Sequence, residues 1–165
     1  GLPTGTFGMT KDIADQIAAK VKREIVDTGG IGSTLAGNAL SAAAMRVTLK
    51  KVLNEKNFKK MIALGTRWSD GVDAAIKEFG LPWHCNRLGA RGEYIFAPHA
   101  PRTGKEAADS GDFELEQYIH LRMLNDGFLI TPFHNMALMC PDTTAADVDA
   151  HTKAFHAMCA ELVKP

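Results

Sequence analysis

From Glu55 to the C-terminus the spacing of apolar residues changes repeatedly, and that succession limits the fold more than any other feature of the chain. Phe58, Met61, Ile62, Leu64, Trp68, Val72 and Ile76 recur at helical spacing, which predicts a helix from about Glu55 to Phe79 despite Gly65 and Gly71. Gly80-Leu81-Pro82 ends it, and Trp83 to Leu88 and Arg91 to Ala97 read as strands around Gly89. The polar, Pro/Gly-rich run from Pro98 to Asp112 reads as an exposed loop. Phe113 to Asn125 is helical, with Leu115, Tyr118, Ile119 and Met123 on one face and Gly127 supplying a left-handed cap. Phe128 to Thr131 and Met136 to Cys140 read as strands. Thr143 or Thr144 then caps a last helix carrying Val148, Phe155, Cys159 and Leu162. Helix, two strands, helix, two strands, helix is an α+β layer, one small sheet covered by helices.

The N-terminal residues stand outside this pattern. Leu2 to Met9 is glycine-punctuated with a brief strand at Thr6-Phe7. Thr10 caps a helix whose stripe is Ile13, Ile17, Val21 and Ile25, broken by Asp27-Thr28-Gly29-Gly30. A second helix is expected from Leu35 to Leu53. Its small residues Ala42, Ala43 and Ala44 suit close packing, as in a helix joining two domains. The expected organisation is residues 1–34 from the end of a preceding domain, 35–54 as the interdomain helix and 55–165 as a small α+β domain.

Composition sets bounds on function. The 165 residues are 45% hydrophobic and 23% charged, ordinary for a globular protein. Lys+Arg and Asp+Glu both number 19, so no net field recruits nucleic acid or an anionic membrane. No apolar run approaches the roughly 18 residues of a membrane span. Cys85, Cys140 and Cys159 share no CxxC spacing, which implies reduced thiols in a cytoplasmic protein.

Gly29-Gly30-Ile31-Gly32-Ser33-Thr34 stands before the second expected helix. Glycines let backbone N–H groups turn inward and two hydroxyls come next, a donor set suited to a phosphate. It is neither a P-loop nor GxGxxG, and a flexible loop with a capped helix also explains it. The wider run through Leu35-Ala36-Gly37-Asn38-Ala39-Leu40 resembles the glycine-threonine, glycine-asparagine signature of class III pyridoxal-phosphate aminotransferases, the group that includes glutamate-1-semialdehyde aminomutases. Gly1-Leu2-Pro3-Thr4-Gly5-Thr6-Phe7-Gly8 resembles the segment just after the cofactor-binding lysine in that family. Arg87-Leu88-Gly89-Ala90-Arg91, Leu124-Asn125-Asp126-Gly127 and Thr131-Pro132-Phe133-His134-Asn135 fit its small C-terminal domain.

The resemblance implies an aspartate-aminotransferase-like fold (fold type I) and a homodimer with its active sites at the subunit interface. The cofactor would be pyridoxal 5'-phosphate and the substrate a small amino acid or amino-aldehyde. It also implies that Gly32, Ser33 and Thr34 bind the phosphate of the cofactor held by the neighbouring subunit. The family's lysine falls a few residues before Gly1. No catalytic residue is therefore expected within the chain, which alone should be inactive. The alternative is a non-catalytic phosphate-binding or dimerisation domain. Ala39 departs from the proline common after the Gly-Asn pair, which touches helix geometry more than chemistry.

Among the remaining side chains, Arg91 could fork onto a substrate carboxylate or pair with Glu93. His134 and Asn135 could line a substrate entrance, or cap a turn with their polar groups. His151 and His156 lie five apart and do not share a helical face. No other histidine has a ligand-spaced partner, so no metal site is expected. Met136 and Met139, near Cys140, read as core filler rather than a redox or copper site. Asp70 with Asp73 and Glu114 with Glu116 read as solvated faces, and Lys11 as solvated surface. Ser33 has no neighbouring base to activate it.

Overall fold

The computed structural model describes residues 2, 4–20, 38–131 and 134–164. The chain divides into two compact units, Gly1–Asn54 and Glu55–Pro165.

In the first unit, α1 covers Lys11–Lys20 and begins with the Ala14 N–H donating to the Thr10 carbonyl at 3.0 Å. Helix α2 covers Ala39–Val47, shorter at both ends than the expected Leu35 to Leu53. Asn38 is its N-cap: the side-chain oxygen accepts the Ser41 N–H at 3.0 Å, and extended backbone at Asn38 ends the helix on that side. At the other end Thr48–Val52 widens into one π turn, closed by the Leu53 N–H on the Thr48 carbonyl at 2.9 Å. No residue of α2 or of the π turn is buried. The described residues from Leu2 to Phe7 form no strand.

The second unit is built on α3 (Glu55–Glu78), the strands β1 (His84–Leu88) and β2 (Arg91–Ile95), the short α4 (Gly104–Asp109), α5 (Phe113–Asn125), β3 (Met136–Leu138) and α6 (Ala145–Leu162). The sheet is antiparallel in the order β1-β2-β3. Its register sets Cys85 against Tyr94, Gly92 against Ala137, and Glu93 against both Asn86 and Met136. One face carries Cys85, Gly92, Tyr94 and Ala137 toward α3 and α6. Between these layers lie Trp68, Val72, Trp83, Ile119, Met123, Phe155, Met158 and Cys159. Trp83 and Tyr94 stack at 5.9 Å, and Tyr94 meets Phe155 at 5.0 Å. This is the α+β layer expected from the sequence.

Two expectations fail inside it. Phe128 to Thr131 is not a strand. The Phe128 N–H reaches back 2.9 Å to the Met123 carbonyl and the Gly127 N–H to Leu124 at 3.0 Å, a Schellman closure with Gly127 at φ +88°. That closure takes the N–H a ladder would need at Phe128, while Ile130 drops into the core. Within the expected loop, α4 forms because Thr103 caps it. Its hydroxyl accepts the Glu106 N–H at 3.2 Å, and the Glu106 carboxylate accepts the Arg102 N–H at 2.7 Å.

Candidate functional site

The turn at Gly89-Ala90, with Gly89 at φ +60°, reverses the chain so that β2 opens on Arg91. Alternation along the strand puts Arg91 and Glu93 on one face and Gly92 and Tyr94 on the other. The core face is closed by Trp68, whose ring lies over Gly92, so Arg91 and Glu93 occupy the face away from the core. There the Arg91 Nη2 donates to Glu93 Oε2 at 2.8 Å, and its Nε lies against the Met136 sulfur. The second Glu93 oxygen meets the His134 Nδ1 at 3.1 Å. His120 from α5 places Nε2 3.3 Å from the His134 carbonyl.

Glu93 therefore joins Arg91 on its own strand to His134 on the connection that leads into β3. Arg91 and His134 are about half exposed (49% and 53%) whereas Glu93 is 25% exposed, so the shared carboxylate is the less solvated member. Asn135 comes next after His134 and is buried. Its carbonyl accepts the Tyr94 N–H at 3.2 Å, and its Oδ1 has no partner among the described residues. A cleft of about 360 Å³ beside these residues is lined by Glu93, Glu116, His134 and Asn135. A smaller one of about 270 Å³ is lined by Asn86, Arg87, Leu88 and Arg91.

Of the residues read from the sequence, Arg91 is thus in its ion pair with Glu93, with part of the guanidinium open to solvent. Gly32, Ser33 and Thr34 lie outside the described residues. The helix after them is fixed by the structure. It starts at Ala39 with Asn38 as cap, and the Ser41 N–H is already used by the Asn38 side chain. The glycines and two hydroxyls of the run still suit a phosphate by their donor chemistry, without that N–H. The link from Arg91 through Glu93 to His134 had no sequence signal, because it depends on the β2–β3 register.

Other candidates resolve into structure. Among the described residues no group of three or more His, Cys, Asp or Glu side chains could hold a metal ion, and no helix is long and apolar enough to cross a membrane. His151 packs between Trp68, Phe128 and Phe155, and burial pushes its imidazole down to about 4. All three cysteines are unpaired. Burial pushes the Cys85 and Cys159 thiols up to about 12, while hydrogen bonding from Thr143 holds exposed Cys140 below the usual thiol range.

No protein-family model matches the chain. Individual relatives do. It is 32% identical over 160 residues to a glutamate-1-semialdehyde 2,1-aminomutase of Halalkalibacterium halodurans, covering 94% of this chain and 35% of that protein. A second, from Bacillus subtilis, is 30% identical over 164 residues, covering 98% and 36%. Among solved structures, a glutamate-1-semialdehyde-aminomutase from Pseudomonas aeruginosa PAO1 in complex with PMP superposes with a TM-score of 0.85 at 42% identity, over 94% of this chain and 35% of that one. The chain belongs, as a C-terminal part, to the class III pyridoxal-phosphate aminotransferase family.

It spans only 35% and 36% of the length of the two aminomutases matched by sequence. A β-phenylalanine aminotransferase from Variovorax paradoxus, 19% identical with a TM-score of 0.70, shares the fold of this part of the family. The α+β layer from α3 to α6 is therefore family architecture, and the Arg91 face is one face of that layer.

Proposed function

We propose that the chain is the C-terminal fragment of a pyridoxal-phosphate-dependent aminotransferase or aminomutase acting on an amino acid or amino-aldehyde. The observation that carries this is the match of 94% of the chain, at 42% identity and a TM-score of 0.85, to an aminomutase solved with PMP. The cofactor, when bound, supplies an electron sink for amino-group chemistry. This chain's own part is recognition. Gly32, Ser33 and Thr34 would present amide and hydroxyl donors to the phosphate of a cofactor held by the partner subunit of a homodimer. Arg91 would bind the substrate carboxylate with the donors that Glu93 leaves free. The residue that carries the cofactor lies outside this sequence in this reading, so the chain alone is inactive. The same proposal places the enzyme in the cytoplasm.

Thermal-shift titrations test the phosphate assignment. Inorganic phosphate and pyridoxal phosphate should each raise the melting temperature of the 165-residue chain, and Thr34→Ala should lose most of that rise. Equal shifts in both proteins would remove Thr34 from the site. Turnover of an amino donor and a keto acid by the chain alone, with cofactor trapped by borohydride on one of its lysines, would overturn the predicted inactivity.

A further inference from the structure

We infer that Glu93 and His134 are positioning residues that set how strongly Arg91 binds a carboxylate, and that the protonation of His134 tunes it. This rests on the reading of Arg91 as a carboxylate anchor. Glu93 is a two-ended acceptor, with one oxygen taking the Arg91 Nη2 at 2.8 Å and the other facing the His134 Nδ1 at 3.1 Å. The bond to Glu93 requires a hydrogen on Nδ1, present in one neutral tautomer and in the charged form. With His134 neutral, the guanidinium and the carboxylate cancel and the cluster carries no net charge. With His134 charged, the cluster carries one positive charge. Glu93 is then shared between two cations, and its hold on Arg91 weakens. Both changes favour an incoming anion, so affinity rises as pH falls.

The neighbourhood of His134 supports its role as the variable member. The charged groups facing it are Glu93 and Arg91 from β2 and Glu116 from α5, which lines the same cleft. His120, also from α5, touches the His134 carbonyl rather than the ring. Arginine keeps its charge at every relevant pH, and carboxylates are ordinarily ionised where imidazoles titrate. Imidazole is the side chain whose charge ordinarily changes near neutral pH, and of the two imidazoles here only that of His134 touches Glu93. Because Arg91 and His134 are half exposed, the effect is modest. One added charge within several ångströms, largely screened by water, changes affinity about three- to tenfold.

The test uses the 165-residue chain with sodium formate as probe, monitored by NMR at the Arg91 Cδ–Hδ and His134 Cε1–Hε1 cross-peaks. Without formate, the Arg91 resonance should move with the midpoint at which His134 titrates, and Glu93→Gln should break that correspondence. With formate, affinity should be about three- to tenfold higher near pH 5.5 than near pH 8. His134→Gln should flatten this difference and His120→Gln should keep it. Glu93→Gln should bind formate more tightly at both pH values, with a smaller pH response than the wild type, because only the added charge on His134 remains. Formate binding that needs Arg91 but is equally strong at both pH values, or a His134→Gln variant that responds as the wild type does, overturns the inference alone. Binding unchanged in Arg91→Ala removes the anchor itself, and the inference with it.

Discussion

Trp68 and His151 show how much of this domain turns on single positions. An added Cβ at Gly92 would lie 2.4 Å from Trp68 Cζ3 and 2.7 Å from Cε3, and Trp68 is 2% exposed with no room to retreat. Gly92→Ala should therefore destabilise the chain by about 1–3 kcal/mol, whereas Gly104→Ala, with open space around it, should be neutral or slightly stabilising. Urea unfolding of the two variants distinguishes them, and equal midpoints would show that Trp68 can move. His151 carries a pH term with a definite sign. Its folded-state value of about 4 lies below the unfolded value of 6.5. The unfolded chain thus binds more protons as pH falls, and the stabilising effect of the neutral, buried ring is complete above about pH 6.5 and lost progressively toward pH 4. Between pH 7 and pH 5 the stability advantage of the wild type over His151→Phe should shrink by roughly 2 kcal/mol. Parallel stability curves would mean that the imidazole is hydrated in the folded state.

The elements are legible wherever one local rule governs them, and not where a neighbour decides. Helix α3 announces itself through Met61, Leu64, Trp68, Val72 and Ile76, all of which are buried. Gly65 reads as a weak point in it, yet a Cβ there would come within 2.9 Å of the Gly89 carbonyl, so the glycine lets the helix lie against the hairpin turn. Phe128 to Thr131 has strand-forming residues, but the closure of α5 takes its first N–H, and nothing in the apolar pattern shows that. Helix α4 does carry a local signal within its Pro/Gly-rich surroundings: Thr103 with Glu106 three residues on is a capping pair. At the candidate site, Arg91 and its pairing with Glu93 could be read from spacing along one strand. The contact with His134 could not, because it joins residues 41 apart through a register set by the whole sheet. The same capping logic gives a test in α6, where the Thr144 hydroxyl accepts the Asp147 N–H at 3.2 Å in a reciprocal box. Thr144→Ala should cost about 1 kcal/mol. Thr144→Ser should restore most of it, and if Ser fails to do so in chemical denaturation, the methyl contact rather than the cap is what matters.

At the scale of the whole molecule the two units differ in how they satisfy their apolar residues. The second closes a core around Trp68, Tyr94, Ile119 and Phe155. In the first, Leu40 is 66% exposed and Val47 and Leu49 are each 52% exposed, and no residue of α2 or the adjoining π turn is buried. A helix with apolar residues and no buried face gains little from its own tertiary contacts, and short helices are marginal without such packing. Exposed apolar side chains on such a helix favour association. The isolated chain should therefore gain mass with concentration in light scattering, and Val47→Lys combined with Leu49→Lys should shift that gain to higher concentration while leaving the second unit's unfolding transition in place. The two outcomes separate the sources of association. If the double variant still associates as the wild type does, the contact surface lies elsewhere, with Leu88 and Leu138 on the outer sheet face, 81% and 61% exposed, the next to substitute. If the wild type stays monomeric throughout, α2 is covered by its own chain in solution and the exposed helix does not drive association at all.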